Sequence, residues 1–212
     1  MPASKRSSVA SDMSLVNFTA REITCKIVYY GPGRSGKTTN LQYVYGRVPE
    51  SRRGRMVSLA TQTDRTLFFD FLPLELGSIS GFATKFQLYT VPGQSYYNAT
   101  RKLVLQGADG VVFVADSQAR RFDDNLESLQ NLHDNLLAQG VDIRRLPVVF
   151  QYNKQDLPRD LILTHEEMDD ALNFRSVHSF AGDALHGTGV FETLRGISEL
   201  VLRRLAAGAV AG

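Results

Sequence analysis

A single cysteine, Cys25, excludes an internal disulfide framework. In a stretch rich in β-branched residues it reads as a small buried apolar residue. No run of about 18 apolar residues occurs, so no helical membrane span is expected. A net charge of +2 leaves no strong field for nucleic acid. The start of the chain is rich in Ser and Ala, with Lys5 and Arg6, and lacks the apolar centre of a secretion signal. Residues 1–17 read as a disordered extension, with a weak membrane or partner contact through those two charges as an open alternative. Residues 207–212 read as a flexible tail without cysteine, so no prenyl anchor is expected. His133, His165, His178 and His186 show no metal-ligand spacing and read as structural or solvated. There is no internal repeat. What remains, residues 18–206, is long enough for one domain with a sizeable core, expected in the cytoplasm.

Within it, Gly31-Pro32-Gly33-Arg34-Ser35-Gly36-Lys37-Thr38 fits the phosphate-loop pattern G-x-x-x-x-G-K-[ST]. The glycines allow a tight turn that aims backbone N–H groups at phosphate oxygens. Lys37 reaches the outer phosphates as a point charge, and the Thr38 hydroxyl can ligate magnesium. A helix beginning here adds the positive end of its dipole. Arg34, Ser35 and Thr39 complete the predicted phosphate-binding set. The competing reading is a glycine-rich surface turn. Context favours the nucleotide, because Ile23–Tyr30 reads as a strand and Thr38–Arg47 as a helix.

Strand and helix patterns alternate along the rest of the chain. A basic loop covers Val48–Met56, with Arg52, Arg53 and Arg55 solvated or facing a partner. Alternation predicts a strand around Leu67–Leu72, a turn at Pro73 and Gly77-Ser78, and a second strand over Phe82–Tyr89, together an antiparallel hairpin. Val91–Gln94 is a loop and Tyr97–Gln106 a helix. Gly110–Ala115 is apolar without alternation, as in a parallel strand covered on both faces. Asp124 and Glu127 resemble a capping pair opening a helix whose stripe is Leu126, Leu129, Leu132 and Leu136. Pro147–Tyr152 is a strand and Thr164–Leu172 a short helix, with Thr164 as cap and Glu167 three residues on. A weak strand over Arg175–Phe180 and an amphipathic helix over Val190–Leu205 follow. The pattern predicts a doubly wound α/β fold, a mostly parallel sheet of about six strands with helices on both faces.

Asn153-Lys154-Gln155-Asp156 follows the predicted strand ending at Tyr152, where ligands bind in this architecture. Alone, N-K-x-D is more simply a solvated polar turn. Downstream of a phosphate loop it gains a chemical role. Asp156 can accept from the N1–H and amino group of guanine; adenine would leave that carboxylate unpaired, at about 1–3 kcal/mol. Lys154 can lay its aliphatic stem along the base, and Asn153 can tie this loop to the phosphate loop.

The two motifs together resemble the Ras-like small GTPases. Asp183-Ala184-Leu185, followed by Gly189-Val190, resembles that family's last base-contacting loop, which implies that the Ala184 N–H meets the guanine oxygen. The stretches G-P-G-x-S-G-K-T-T-N, T-x-x-D-R-T-L-F-F-D-F-L-P and T-V-P-G-Q-x-Y-Y-N-A resemble the bacterial MglA group over about Asn17 to Leu205. The resemblance implies a Ras-like P-loop fold and a switch that binds and hydrolyses GTP to GDP with Mg²⁺. It implies control of cell polarity or gliding motility through effectors, a polar location in the GTP state, and a Roadblock-fold activator (MglB-like) that positions the chain's own catalytic residues.

It also implies residue roles. Gly93 meets the γ-phosphate, Gln94 orients the attacking water, Thr66 closes over magnesium, and Arg65 acts as an intrinsic arginine finger. From sequence alone Arg65 is more simply a solvated loop arginine. In Thr90-Val91-Pro92-Gly93-Gln94 threonine stands where Ras-like proteins carry aspartate. Thr90 acting through a water and Asp70 acting as a substitute carboxylate are both open, as is a core-edge role for Asp70. Two rival readings follow: a GTP-bound scaffold with negligible hydrolysis, and an ATP-dependent P-loop enzyme.

Overall fold

The computed structural model describes residues 15–59, 69–79, 81–94 and 97–210. Its centre is strand β2 (Glu22–Tyr30), whose β-branched and aromatic residues suit a covered pleated surface. Strands β5 (Phe82–Thr90) and β6 (Gly110–Asp116) pair with β2 in parallel on its two sides. Strands β7 (Val148–Asn153) and β8 (Ser179–Gly182) extend the parallel sheet beyond β6. On the other side, β4 (Phe69–Ile79) pairs antiparallel with β5 and carries β3 (Val57–Leu59) at the edge. The order is β3-β4-β5-β2-β6-β7-β8.

Helices cover both faces, as the doubly wound reading requires. Helices α1 (Lys37–Arg47) and α5 (Val190–Val210) pack Leu41, Val44, Leu194, Ile197 and Val201 against Cys25, Ile27 and Tyr29. On the opposite face α2 (Asn98–Leu105), α3 (Phe122–Ala138) and α4 (His165–Leu172) bury Val104, Leu132, Leu136, Met168 and Leu172 against Val28, Val111, Phe113 and Phe150. Every residue of β6 is buried, which is why its sequence lacks alternation. Each such Leu or Phe contributes about 1.5–3 kcal/mol by leaving water.

Several boundaries differ from the sequence reading, each for a local reason. Among the described residues the sheet has eight strands, not about six. Residues 15–17, expected in a disordered extension, form β1 (Leu15–Asn17), antiparallel to Glu22–Thr24 of β2. The remainder of that extension lies outside the described residues. The hairpin does not turn at Pro73 or Gly77. Pro73 lies beyond the end of β3, where only its carbonyl is used, accepting from the Gly54 N–H at 2.9 Å, so the missing donor opens no gap. Gly77 sits in a bulge between Glu75 and Ser78 at φ +115°.

Helix α3 starts at Phe122, not at Asp124, because a 3-10 turn at Ala119–Arg121 runs straight into it. Asp123 and Asp124 then serve the positive end of its dipole from the first turn. Leu126 is exposed and leaves the predicted stripe, while Asn125, Ser128 and Asn135 turn inward. The last strand begins at Ser179, since Arg175 is committed to the carbonyls of Arg144 and Leu146. Helix α5 runs to Val210, into the stretch read as a tail. Helix α4 matches the prediction, with a capping box in which Thr164 and Glu167 bond each other's backbone N–H groups.

Candidate nucleotide site

The parallel pairing brings the ends of β2, β5, β6, β7 and β8 to one edge of the sheet. The loops that leave this edge carry the predicted site residues. Gly36 caps α1 with φ +102° and no side-chain bond. A Cβ there would lie 2.0 Å from Asn153 Nδ2, so only glycine fits. Gly93 is equally constrained, because its Cβ would stand 2.2 Å from the Gly33 Cα. That approach sets the Val91–Gln94 loop directly against the phosphate loop. Gly33 itself has room: its Cβ would meet Gly93 and Gln94 at 3.7–3.9 Å, and only a larger side chain would press on them.

Lys37 is buried and folds back on its own loop, donating to the carbonyls of Gly31 at 2.9 Å and Pro32 at 2.6 Å. Burial pushes its ammonium down to about 7; the Arg101 guanidinium adds to the shift and Asp70 opposes it. Ser35 Oγ is buried and has no hydrogen-bond partner among the described residues. A cavity of about 520 Å³ opens here, with Lys37, Thr38, Thr39, Asp70, Thr90 and Gly93 in its lining and Arg34 at its rim.

Thr90 is buried and hydrogen-bonded to Asp70. Asp70, on β4, reaches across and accepts from the hydroxyls of Thr38 at 2.5 Å, Thr90 at 2.9 Å and Ser58 at 2.7 Å. A carboxylate therefore stands beside Thr38 even though the loop sequence at Thr90 lacks one. Gln94 is exposed at the mouth of the site. Arg65 and Thr66 lie outside the described residues.

On the far side Asn153 joins three loops. Its Nδ2 donates to the Ser35 carbonyl at 2.7 Å, and its Oδ1 accepts from the Ala184 N–H at 2.8 Å. The Ala184 N–H is thus engaged inside the protein. Asp156 is exposed, within 4.8 Å of the Asp183 carboxylate and the His186 ring. Asp183 is occupied by His186 Nδ1 at 2.6 Å and by the N–H groups of Leu185 and His186. Lys154 adopts φ +74° and pairs with Asp116 at 2.5 Å.

Three residues of the site escape motif reading. Arg101 is fully buried on α2 and donates to the carbonyls of Pro92 at 2.8 Å and Gly93 at 2.6 Å, and to Asn131 Oδ1 at 2.8 Å. Nothing in its sequence separates it from a solvated helical arginine. Arg121 donates to the Gly33 carbonyl at 3.0 Å while paired with Asp124. Asp116 did leave a signal: a carboxylate directly ending an apolar strand that points at the ligand edge.

Among the described residues no helix is long and apolar enough to cross a membrane. The profile of the ADP-ribosylation factor family matches residues 11–201. The chain is 57% identical over 196 residues to the mutual gliding-motility protein MglA of Myxococcus xanthus (strain DK1622), covering 92% of this chain and 100% of that protein. It is 26% identical to ADP-ribosylation factor-like protein 6 of Caenorhabditis elegans, over 81% of this chain and 84% of that protein. With a phosphate loop, an N-K-x-D loop and a T-V-P-G-Q loop on one sheet edge, and these similarities over nearly the whole length, the chain belongs to the ADP-ribosylation factor family of small GTPases, as a member of its MglA group.

Proposed function

We propose that the chain is a guanine-nucleotide switch that binds GTP with Mg²⁺, hydrolyses it slowly to GDP, and acts in bacterial polarity or motility through partners that distinguish the two states. The observation that carries this reading is the Asn153–Ser35 hydrogen bond, which ties the base loop to the phosphate loop as one nucleotide-sized cradle. Asp156 is the guanine-selecting carboxylate, and Lys37 and the N–H groups of residues 33–39 receive the phosphates. On nucleotide binding, phosphate oxygens replace the carbonyls that Lys37 now contacts. The Ala184 N–H then turns from Asn153 toward the base oxygen.

The donor set fits magnesium, a hard cation that takes oxygen ligands. Thr38 would ligate through its hydroxyl oxygen while its O–H goes on donating to Asp70. Thr66 would supply a second ligand, as the resemblance to the family implies. An ion held there would neutralise charge on the phosphate oxygens. Gln94 orients the attacking water, Arg65 neutralises charge developing in the transition state, and Arg101 holds the Gly93 carbonyl so that its N–H faces the γ-phosphate. Loss of the γ-phosphate releases residues 48–66 and 93–97. A Roadblock-fold activator, as in the MglA group, raises the rate by fixing Gln94 and Arg65.

Single-turnover hydrolysis tests the assignment. Gln94→Leu and Arg65→Ala are expected to retain GTP while slowing its hydrolysis at least tenfold with the activator present; wild-type rates in both would overturn it. The Thr90 substitution favours a second reading, a GTP-bound scaffold with negligible hydrolysis. Phosphate release that stays at background with the activator would select it.

A further inference from the structure

We propose that Asp116 is a positioning residue for base recognition, holding the Lys154 ammonium so that the lysine stem is presented to the guanine ring as a fixed surface. This rests on the guanine reading above. Asp116 ends β6 and is fully buried. Its register partner across the sheet is Asn153, the first residue of the base loop. Lys154 Nζ lies 2.5 Å from Asp116 Oδ2, and the lysine side chain is only 25% exposed.

The carboxylate is itself built into the fold. Its backbone N–H and carbonyl are both clamped by the buried Asn125 side chain, at 2.9 and 2.8 Å. Its oxygens also accept from the backbone and side chain of Gln118 at 3.1–3.3 Å. The neighbouring Gln155 is anchored separately, to Ser117 Oγ at 2.8 Å and the Leu163 carbonyl at 3.0 Å.

A buried ion pair is a poor device for stability, because desolvation cancels most of its attraction. Here it does something a solvated lysine cannot. Lys154 already sits in the left-handed region, and an unanchored four-carbon stem would lose its rotamer freedom each time a base arrived. Anchoring the ammonium at the end of a central strand settles that loss during folding, so the stem is preorganised for stacking. The charge on Asp116 matters because it fixes the lysine, and removing the lysine should remove the need for Asp116.

Release of fluorescent GDP in a double-mutant cycle reads this directly. Asp116→Asn is expected to release GDP about tenfold faster than wild type, while adding it to Lys154→Met changes release by less than twofold. Asp116→Glu, which keeps the charge, should recover part of the loss. An equal effect of Asp116→Asn in both backgrounds, or none in wild type, overturns the proposal. A variant-free measurement guards against poor folding. Amine-reactive labelling of the wild-type chain should modify Lys154 at least tenfold more slowly than the exposed Lys102, and equal rates overturn the proposal. A wild type that holds ATP as well as GDP sinks the guanine reading and this inference with it; selective GDP retention with an unchanged Asp116→Asn sinks the inference alone.

Discussion

Thr90 and Asp70 hold each other by two hydrogen bonds: the Asp70 N–H donates to Thr90 Oγ1 at 2.8 Å, and the Thr90 hydroxyl donates back to Asp70 Oδ2 at 2.9 Å. The carboxylate that the loop lacks is thus delivered by the antiparallel neighbour. Asp70→Ala should leave the Thr38, Ser58 and Thr90 hydroxyls without their shared acceptor. We expect nucleotide retention to lose at least tenfold of its magnesium dependence, measured by GDP release with and without the ion. Thr90→Val removes both of these hydrogen bonds, leaves the Asp70 N–H without its acceptor, and should cost about 1–3 kcal/mol.

Placing the family's usual aspartate at position 90 should harm this chain. Thr90 is buried, and Thr90→Asp would set a second carboxylate against Asp70. Like charges in a covered site disfavour each other's ionised form. The expected outcome is a fall in the thermal midpoint of the nucleotide-free chain by several degrees, about 1–3 kcal/mol, followed by calorimetry. The double variant Asp70→Asn with Thr90→Asp should recover most of it.

Arg101→Met should slow hydrolysis and loosen the fold together. Its guanidinium serves two loop carbonyls and Asn131, and each left without a donor costs about 1–3 kcal/mol. Hydrolysis at least tenfold slower, with GDP affinity changed far less, is the expected kinetic signature.

Gly36→Ala should abolish nucleotide retention. The added methyl meets Asn153 Nδ2 at 2.0 Å, and the residue also has φ +102°, which alanine resists. Because Asn153 carries the bond to Ser35, displacing it separates base loop from phosphate loop. Equilibrium dialysis with labelled GDP checks this.

The capping box of α4 sets a small pH dependence. Hydrogen bonds from the Thr164 N–H hold the Glu167 carboxyl below its usual range. A depressed folded-state value means that its contribution is fully present above the unfolded-state value near 4.5 and is lost as pH falls through the folded-state value. Glu167→Gln should therefore flatten the acid limb of a stability-versus-pH curve slightly. Thr164→Ala should cost about 1 kcal/mol at neutral pH by urea unfolding.

The α/β class, the phosphate loop, the N-K-x-D loop and the Thr164 cap were legible in the chain because each is a local pattern, set by a few neighbouring residues and one repeat length. Strand β6 was legible for the same reason, as an unbroken apolar run. Pro73 and Gly77 misled because their effect depends on what lies beside them: at an edge beyond β3 and in a bulge, neither ends a strand. Asp70 taking the aspartate's place, Asp116 meeting Lys154, and Arg101 turning inward to the Pro92 and Gly93 carbonyls came only with the tertiary structure. Each pairs residues far apart in sequence, and burial decides its sign: a carboxylate or guanidinium must find its partner once water is removed, and the sequence does not say which partner folding brings within reach.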